Sequence, residues 1–275
     1  MARVDLPQSK LKARKRRRRL VVLLQLSIAF TLVFGVLAIV SRLPHVRIAK
    51  IVIVGAEGAS AELLKNTAVK NIEGSYALVF PKNNILLYPK EALIQNLYAE
   101  FPRLAEVDVY AENFRTLAIN VRERVPKALW CGASPAARSP CLLMDEGGKA
   151  YEPSADFSGP VYVEYFGTST GESLPQQYLT VEQFRALSAL VAALKDMQGQ
   201  VVVSVVVDEH HDVYVRFENN FTLMFNLRDN SGDVYERFVL AQTAEPFKNH
   251  NLSDFEYLDL RFGDRLYYKL KIIQI

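Results

Sequence analysis

Residues 16–40 read RRRRLVVLLQLSIAFTLVFGVLAIV: four arginines set directly against twenty-one residues that carry no charge. A helix rises about 1.5 Å per residue, so the apolar run spans roughly 30 Å, the thickness of a bilayer's hydrocarbon core. Upstream, Lys10, Lys12, Arg14 and Lys15 help bring the basic residues among the first nineteen to nine, against one acid, Asp5. Basic flanks stay on the cytoplasmic side. Arg16, Arg17, Arg18 and Arg19 therefore orient the span, and the 235 residues after Val40 are expected outside the cytoplasm. A cleaved signal peptide is the competing reading, but its apolar region is usually about 7–15 residues and ends at a small-x-small site. Ala38-Ile39-Val40-Ser41-Arg42 is a poor cleavage site. An uncleaved anchor is favoured. The basic block could also serve as a nucleic-acid arm, yet its place against the span makes lipid headgroups the simpler explanation.

Charge is divided between tail and remainder. The whole chain carries +3, the first nineteen residues +8, and residues 20–275 the remaining −5. The extracytoplasmic part is mildly acidic, and nothing in it suggests a nucleic-acid partner. Its length suits one or two domains. The two cysteines, Cys131 and Cys141, flank the loop GASPAARSP. An oxidising compartment favours a disulfide between them; two independent thiols are the alternative.

Along the chain, Arg47–Val54 is a β-branched run stopped by Gly55 and Gly58, read as a strand and a turn. Ser60 suits the N-cap of a helix with Leu63, Leu64, Ala68 and Val69 at helical spacing. Residues 72–88 look irregular. Pro89 opens a second helix, with Leu93, Ile94, Leu97 and Phe101 as its apolar stripe, and Pro102 ends it. Strands at Ala105–Tyr110 and Thr116–Arg122 follow, completing the order β-α-α-β-β. Further on, short strands are expected at Leu142–Met144, Ala150–Glu152 and Val161–Tyr165, with a helix at Val181–Met197. Val201–Val207 reads as a central strand buried on both faces. A meander (Val213–Phe217, Phe221–Asn226), a helix (Asp233–Phe247) and two last strands (Glu256–Leu260, Leu266–Ile272) complete the pattern. The expected fold class is α+β: one transmembrane helix, a small β-α-α-β-β module, and a mixed β-rich domain with two helices.

Catalysis needs a nucleophile, an acid–base pair or a metal in a cleft. Of four histidines, His210 and His211 lie in the turn DEHHD with Asp208, Glu209 and Asp212. Neighbours in a tight turn rarely converge on one ion, so a solvated turn is favoured over a metal site. The chain has no His-Glu-x-x-His, Gly-x-Ser-x-Gly or phosphate-cradling glycine motif. A protein without catalysis, cofactor or metal is expected.

The stretch Asn84-Ile-Leu, Phe101-Pro, Val107-Asp-Val109 and Leu117-Ala-Ile119-Asn-Val121-Arg-Glu123-Arg124-Val-Pro126-Lys-Ala128-Leu-Trp130 resembles the FtsQ/DivIB family of bacterial division proteins. Three motifs carry the likeness. The Glu-Arg-x-Pro-x-Ala motif is met by Glu123, Arg124, Pro126 and Ala128, Asp-x-x-Gly by Asp145 and Gly148, and Tyr-x-Asp-Leu-Arg by Tyr257, Asp259, Leu260 and Arg261. The basic tail and single anchor fit the family's topology. Two features depart from the pattern: the Cys131–Cys141 loop, and a longer, more apolar segment from Ile72 to Tyr88. On elementary grounds, Glu123 and Arg124 could be an ordinary surface pair, and Asp259 and Arg261 the outward residues of a half-exposed strand.

The resemblance implies a cytoplasmic tail (1–19), a transmembrane helix (20–40), a POTRA-like domain (46–124) and an FtsQ-like β domain (125–275). It implies a bitopic, non-catalytic divisome scaffold in the bacterial inner membrane, concentrated at the septum. Its partners would be FtsB-like and FtsL-like bitopic proteins, through which it helps control septal cell-wall synthesis. In the family the C-terminal sheet edge accepts a partner strand, which maps here onto Phe262, Leu266, Tyr267 and Tyr268. Alternatively Tyr268 is core, and Lys269 and Lys271 guard the edge. The first strand of the POTRA-like module is a second candidate edge. A POTRA-type chaperone or transport component of the envelope is the alternative function, although such proteins usually carry several POTRA repeats.

Overall fold

The computed structural model describes residues 8–155, 157, 159, 161–171, 173–198 and 201–271. Among them are five α-helices, a three-stranded sheet, a ten-stranded sheet and a two-stranded hairpin. The architecture is α+β. The chain divides into two units, Met1–Glu123 and Arg124–Ile275.

The first unit begins with α1 (Gln8–Ser41), long and apolar enough to cross a membrane, its apolar side chains from Leu20 to Val40 almost all exposed. Then come β1 (Lys50–Val54), α2 (Ala61–Ile72), a hairpin of β2 (Ser75–Tyr76) and β3 (Phe80–Pro81), α3 (Lys90–Glu100), β4 (Leu104–Asn113) and β5 (Thr116–Glu123). The sheet order is β1-β5-β4, with β1 parallel and β4 antiparallel to β5. The return from β1 to a parallel neighbour needs a crossover, which α2 and α3 supply.

Ser60 caps α2, its hydroxyl accepting from the Leu63 N–H. The buried stripe of α2 is Leu64, Thr67, Ala68 and Ile72, so the expected core residues Leu63 and Val69 prove exposed. A helix places i, i+4 and i+8 on one face, and that face selects positions 64, 68 and 72. Thr67 is tolerated inside because its hydroxyl donates to Glu100. With Leu93, Leu97, Leu104, Val109, Leu117 and Ile119 these side chains form one core. Each fully buried leucine contributes roughly 1.5–3 kcal/mol. The segment read as irregular holds the β2–β3 hairpin, whose apolar turn gave no ordinary turn signal.

The second unit contains β6 (Ala128–Gly132), β7 (Arg138–Met144), β8 (Lys149–Pro153), β9 (Glu164–Phe166), β10 (Gln176–Gln177), α4 (Val181–Gln198), β11 (Val202–Val207), β12 (Asp212–Phe217), β13 (Thr222–Asn226), α5 (Ser231–Thr243), β14 (Phe255–Phe262) and β15 (Arg265–Leu270). Their order is β10-β8-β7-β6-β9-β11-β12-β13-β14-β15. The β-branched run of β11 lies in mid-sheet between β9 and β12. Phe184, Leu187 and Val191 of α4 join Val234 and Phe238 of α5 in one core with Val205, Val215, Leu223 and Leu258.

Some boundaries differ from expectation. The first strand starts at Lys50 rather than Arg47, and the strand expected at Val161 starts at Glu164. The last helix ends at Thr243, not Phe247, because the residue before Pro246 is disfavoured in helical conformation. Strand β6 was hidden inside the Pro126–Trp130 motif. The end of the last strand expected at Ile272 lies outside the described residues, as does Asp5.

Candidate partner-binding edge

Strand β15 closes one end of the ten-stranded sheet, with β14 as its one neighbour among the described strands. All six of its residues are exposed. Leu266, Tyr267, Tyr268 and Leu270 are 38–49% exposed, and Phe262 at the end of β14 is 55% exposed. Successive strand residues face opposite sides. On one side Tyr268 sets its ring against Phe247 and Phe255, with centroids 5.3 and 5.9 Å away. On the other, Tyr267 meets Phe262 edge-on at 5.1 Å. Tyr268 is thus half supported by the core and half open.

The two lysines are not free guards. Lys269 pairs with Glu256 at 2.7 Å, and that hydrogen bond raises its pKa. The Lys271 ammonium donates to the carbonyls of Asn219 and Ser253 at 2.8 and 2.7 Å. Both bind the last strand back onto its own domain, which leaves the apolar residues as the face of the edge.

Arg261 organises the ground beneath that edge. Its guanidinium donates twice to Asp259, at 2.9 and 2.6 Å, and once to Asp212 at 2.6 Å. Hydrogen bonding to Asp259 above all raises the guanidinium's pKa, against the opposing effect of burial. Asp259 is 5% exposed, not the outward strand residue expected, because Arg261 neutralises it in place. Burial works to raise the Asp212 pKa, but hydrogen bonds from Asn226 and Arg261 outweigh it and the net shift is downward. The guanidinium also lies 5.8 Å from the rings of both Tyr214 and Phe262. Arg237 of α5 donates to the carbonyls of Leu260 and Gly263, fixing the turn into β15. Asp212, Tyr214 and Arg237 were missed in the sequence, since nothing local links them to residues 260–263.

Glu123 and Arg124 do not pair with each other. Adjacent residues in extended chain diverge, and each anchors its own unit. Glu123 accepts the N–H groups of Glu57, Gly58 and Ala59 at 2.8–3.0 Å and approaches Arg103 at 3.6 Å. Gly55, just upstream, has φ +86°, and a Cβ there would lie 2.1 Å from the Val121 carbonyl oxygen. Arg124 meets Asp145 at 2.5 Å with both side chains 12% exposed. Asp145 also accepts the N–H groups of Gly147 and Lys149, closing a turn in which Gly148 has φ +76°. A Cβ on Gly148 would lie 2.7 Å from Phe184, so the Asp-x-x-Gly spacing answers to geometry.

Burial works to raise the Glu123 pKa, but the three backbone N–H groups and Arg103 bring it below its ordinary value. A carboxylate with a depressed folded pKa contributes stability above its unfolded pKa, about 4.3, and loses it as pH falls through the folded value. Acid melts followed by circular dichroism should therefore show a loss of stability below about pH 4 that is shallower in Glu123→Gln. An identical acid limb in the variant would contradict this role.

Strand β1 is one edge of the three-stranded sheet, bordering a groove of about 620 Å³ lined by Arg47, Lys50, Lys65 and Glu73 among others. Cys131 and Cys141 are joined by a disulfide across the β6–β7 hairpin, with Cα atoms 4.1 Å apart. Together with Glu164 they form a group spaced to hold an ion, but the sulfurs are bonded to each other and Glu164 is held by Arg138 at 2.7 Å. In the DEHHD turn, Asp208 accepts the N–H groups of His210 and Asp212, and His210 is exposed. Arg16 to Arg19 are exposed on α1.

No family model matches the chain, and no curated protein matches it.

Proposed function

We propose that the chain is a bitopic, non-catalytic scaffold of the bacterial divisome, of the FtsQ/DivIB type, with its POTRA-like module in the first unit. Helix α1 crosses the inner membrane with the basic tail in the cytoplasm, and the two units work outside it at the septum. The β15 edge takes a strand from an FtsB-like partner, itself bound to an FtsL-like protein.

The observation carrying this reading is the open apolar edge formed by Phe262, Leu266, Tyr267 and Tyr268. A long exposed apolar edge strand is an aggregation hazard unless something covers it. Strand addition satisfies its backbone groups and gives alternate side chains a surface to select. Arg261, Asp259 and Arg237 hold that edge in place. A chaperone or transport component working through β1 is the second reading, favoured by the groove beside that strand.

The test is binding of the full chain, reconstituted in nanodiscs, to the outer domains of FtsB- and FtsL-like proteins from the same genome. Saturable binding is expected. Failure to bind with both units folded would sink the scaffold reading, and binding of unfolded outer-membrane polypeptides instead would favour the second.

A further inference from the structure

The segment after α2 is the feature this function leaves unused. Residues 75–81, SYALVFP, form the β2–β3 hairpin, and its tip is apolar where a turn is normally polar. The Val79 N–H donates to the Tyr76 carbonyl, and the two central residues, Ala77 and Leu78, have φ +48° and +64°. Two consecutive left-handed residues ordinarily select Asn-Gly. Here a leucine occupies that strained position while 89% exposed, and Leu86 nearby is 75% exposed. Water offers nothing in return for either choice.

The hairpin is fastened to α1. Phe80 meets Phe34 edge-on, with centroids 5.3 Å apart. Arg42 donates to the carbonyls of Leu78 and Val79 at 3.2 Å each. Buried Asn84 donates to the Ser41 carbonyl at 2.8 Å. Phe34 lies six residues before Val40, so Phe80 sits roughly 9 Å inside the end of the apolar run. That is the depth at which interfacial elements rest at the headgroup–acyl boundary. Between helix and hairpin runs an apolar groove of about 370 Å³, lined by Leu37, Val40, Tyr76, Phe80 and Leu87 among others. Lys82, over the Tyr76 ring at 5.7 Å, and Arg42 set positive charge beside it, as anionic headgroups require.

We propose that this hairpin inserts into the outer leaflet beside the anchor, with Leu78 and Leu86 among the acyl chains and an acyl chain in the groove. The proposal rests on the reading that α1 crosses the bilayer. Continuity with α1 selects lipid as the occupant: the hairpin is held against the apolar span itself. Its consequence is mechanical, since a second immersed point stops the first unit from swivelling about a single helix.

Single-cysteine variants test it in the full chain, because the native cysteines are bonded to each other and labelling without reductant leaves them so. Phe30→Cys, Leu63→Cys and Leu78→Cys would carry an NBD fluorophore in phosphatidylcholine–phosphatidylglycerol vesicles doped with lipids spin-labelled at shallow or deep positions. Phe30 is in mid-span, and exposed Leu63 is at the far end of α2 from the hairpin. Expected are a blue-shifted probe at 78 quenched best by the shallow label, one at 30 quenched best by the deep label, and a water-like probe at 63. A water-like probe at 78 with 30 quenched overturns the hairpin proposal and leaves the span intact. An unquenched probe at 30 overturns both. Equal quenching at 63 and 78 overturns the hairpin's special role, since the whole unit would then lie on the membrane.

Discussion

Arg124→Ala is expected to destabilise the second unit by about 3–5 kcal/mol, the cost of stripping one partner from a buried ion pair. The pair is mostly buried, and Asp145 cannot turn away to find water. Its other oxygen is committed to the Gly147 and Lys149 N–H groups, so the carboxylate would stay in place with its charge uncompensated. Adding Asp145→Asn to the variant should recover part of the loss. The amide oxygen can still serve the turn, while the unpaired charge is gone. Denaturant unfolding of the two single variants and the double variant gives the coupling directly. A cost under about 1 kcal/mol for Arg124→Ala would place the pair with ordinary exposed ion pairs instead.

Tyr267→Lys should weaken binding of the FtsB-like partner by about 2 kcal/mol, roughly thirtyfold in Kd, while leaving the fold intact. Tyr267 is 49% exposed and its ring rests on Phe262 rather than in the core, so its loss costs the free protein little. In a strand-added complex the same ring becomes interior to a longer sheet, where a lysine must be desolvated. Tyr267→Phe should bind nearly as wild type, because area carries the contact. Titration of the partner onto each variant by calorimetry checks both. If Tyr267→Lys binds normally, the β1 edge becomes the site to examine.

The parts of the fold legible in the sequence are those with a local period. The twenty-one-residue apolar run, the β-branched run of β11 and the stripe of α4 each announce an element through spacing alone. Motif spacing also singled out Glu123 and Arg124, but not what they do. Glu123 reaches residues 57–59 and Arg124 reaches 145, and neither separation leaves a trace in a single sequence. The same holds at the edge. Tyr267 and Tyr268 were visible as tyrosines on a last strand, whereas Asp212, 49 residues from Arg261, was read only as part of a charged turn. The hairpin was missed for another reason: its tip carries Ala and Leu where turn chemistry predicts Asn and Gly.

Amide hydrogen exchange of the nanodisc-held chain, with and without the FtsB-like outer domain, reads strand addition residue by residue. The account predicts new protection at Arg265–Leu270, strongest at alternate amides, since only one edge of β15 is open. Binding that leaves those six residues exchanging as before, with protection gained at Lys50–Val54 or elsewhere, would contradict it.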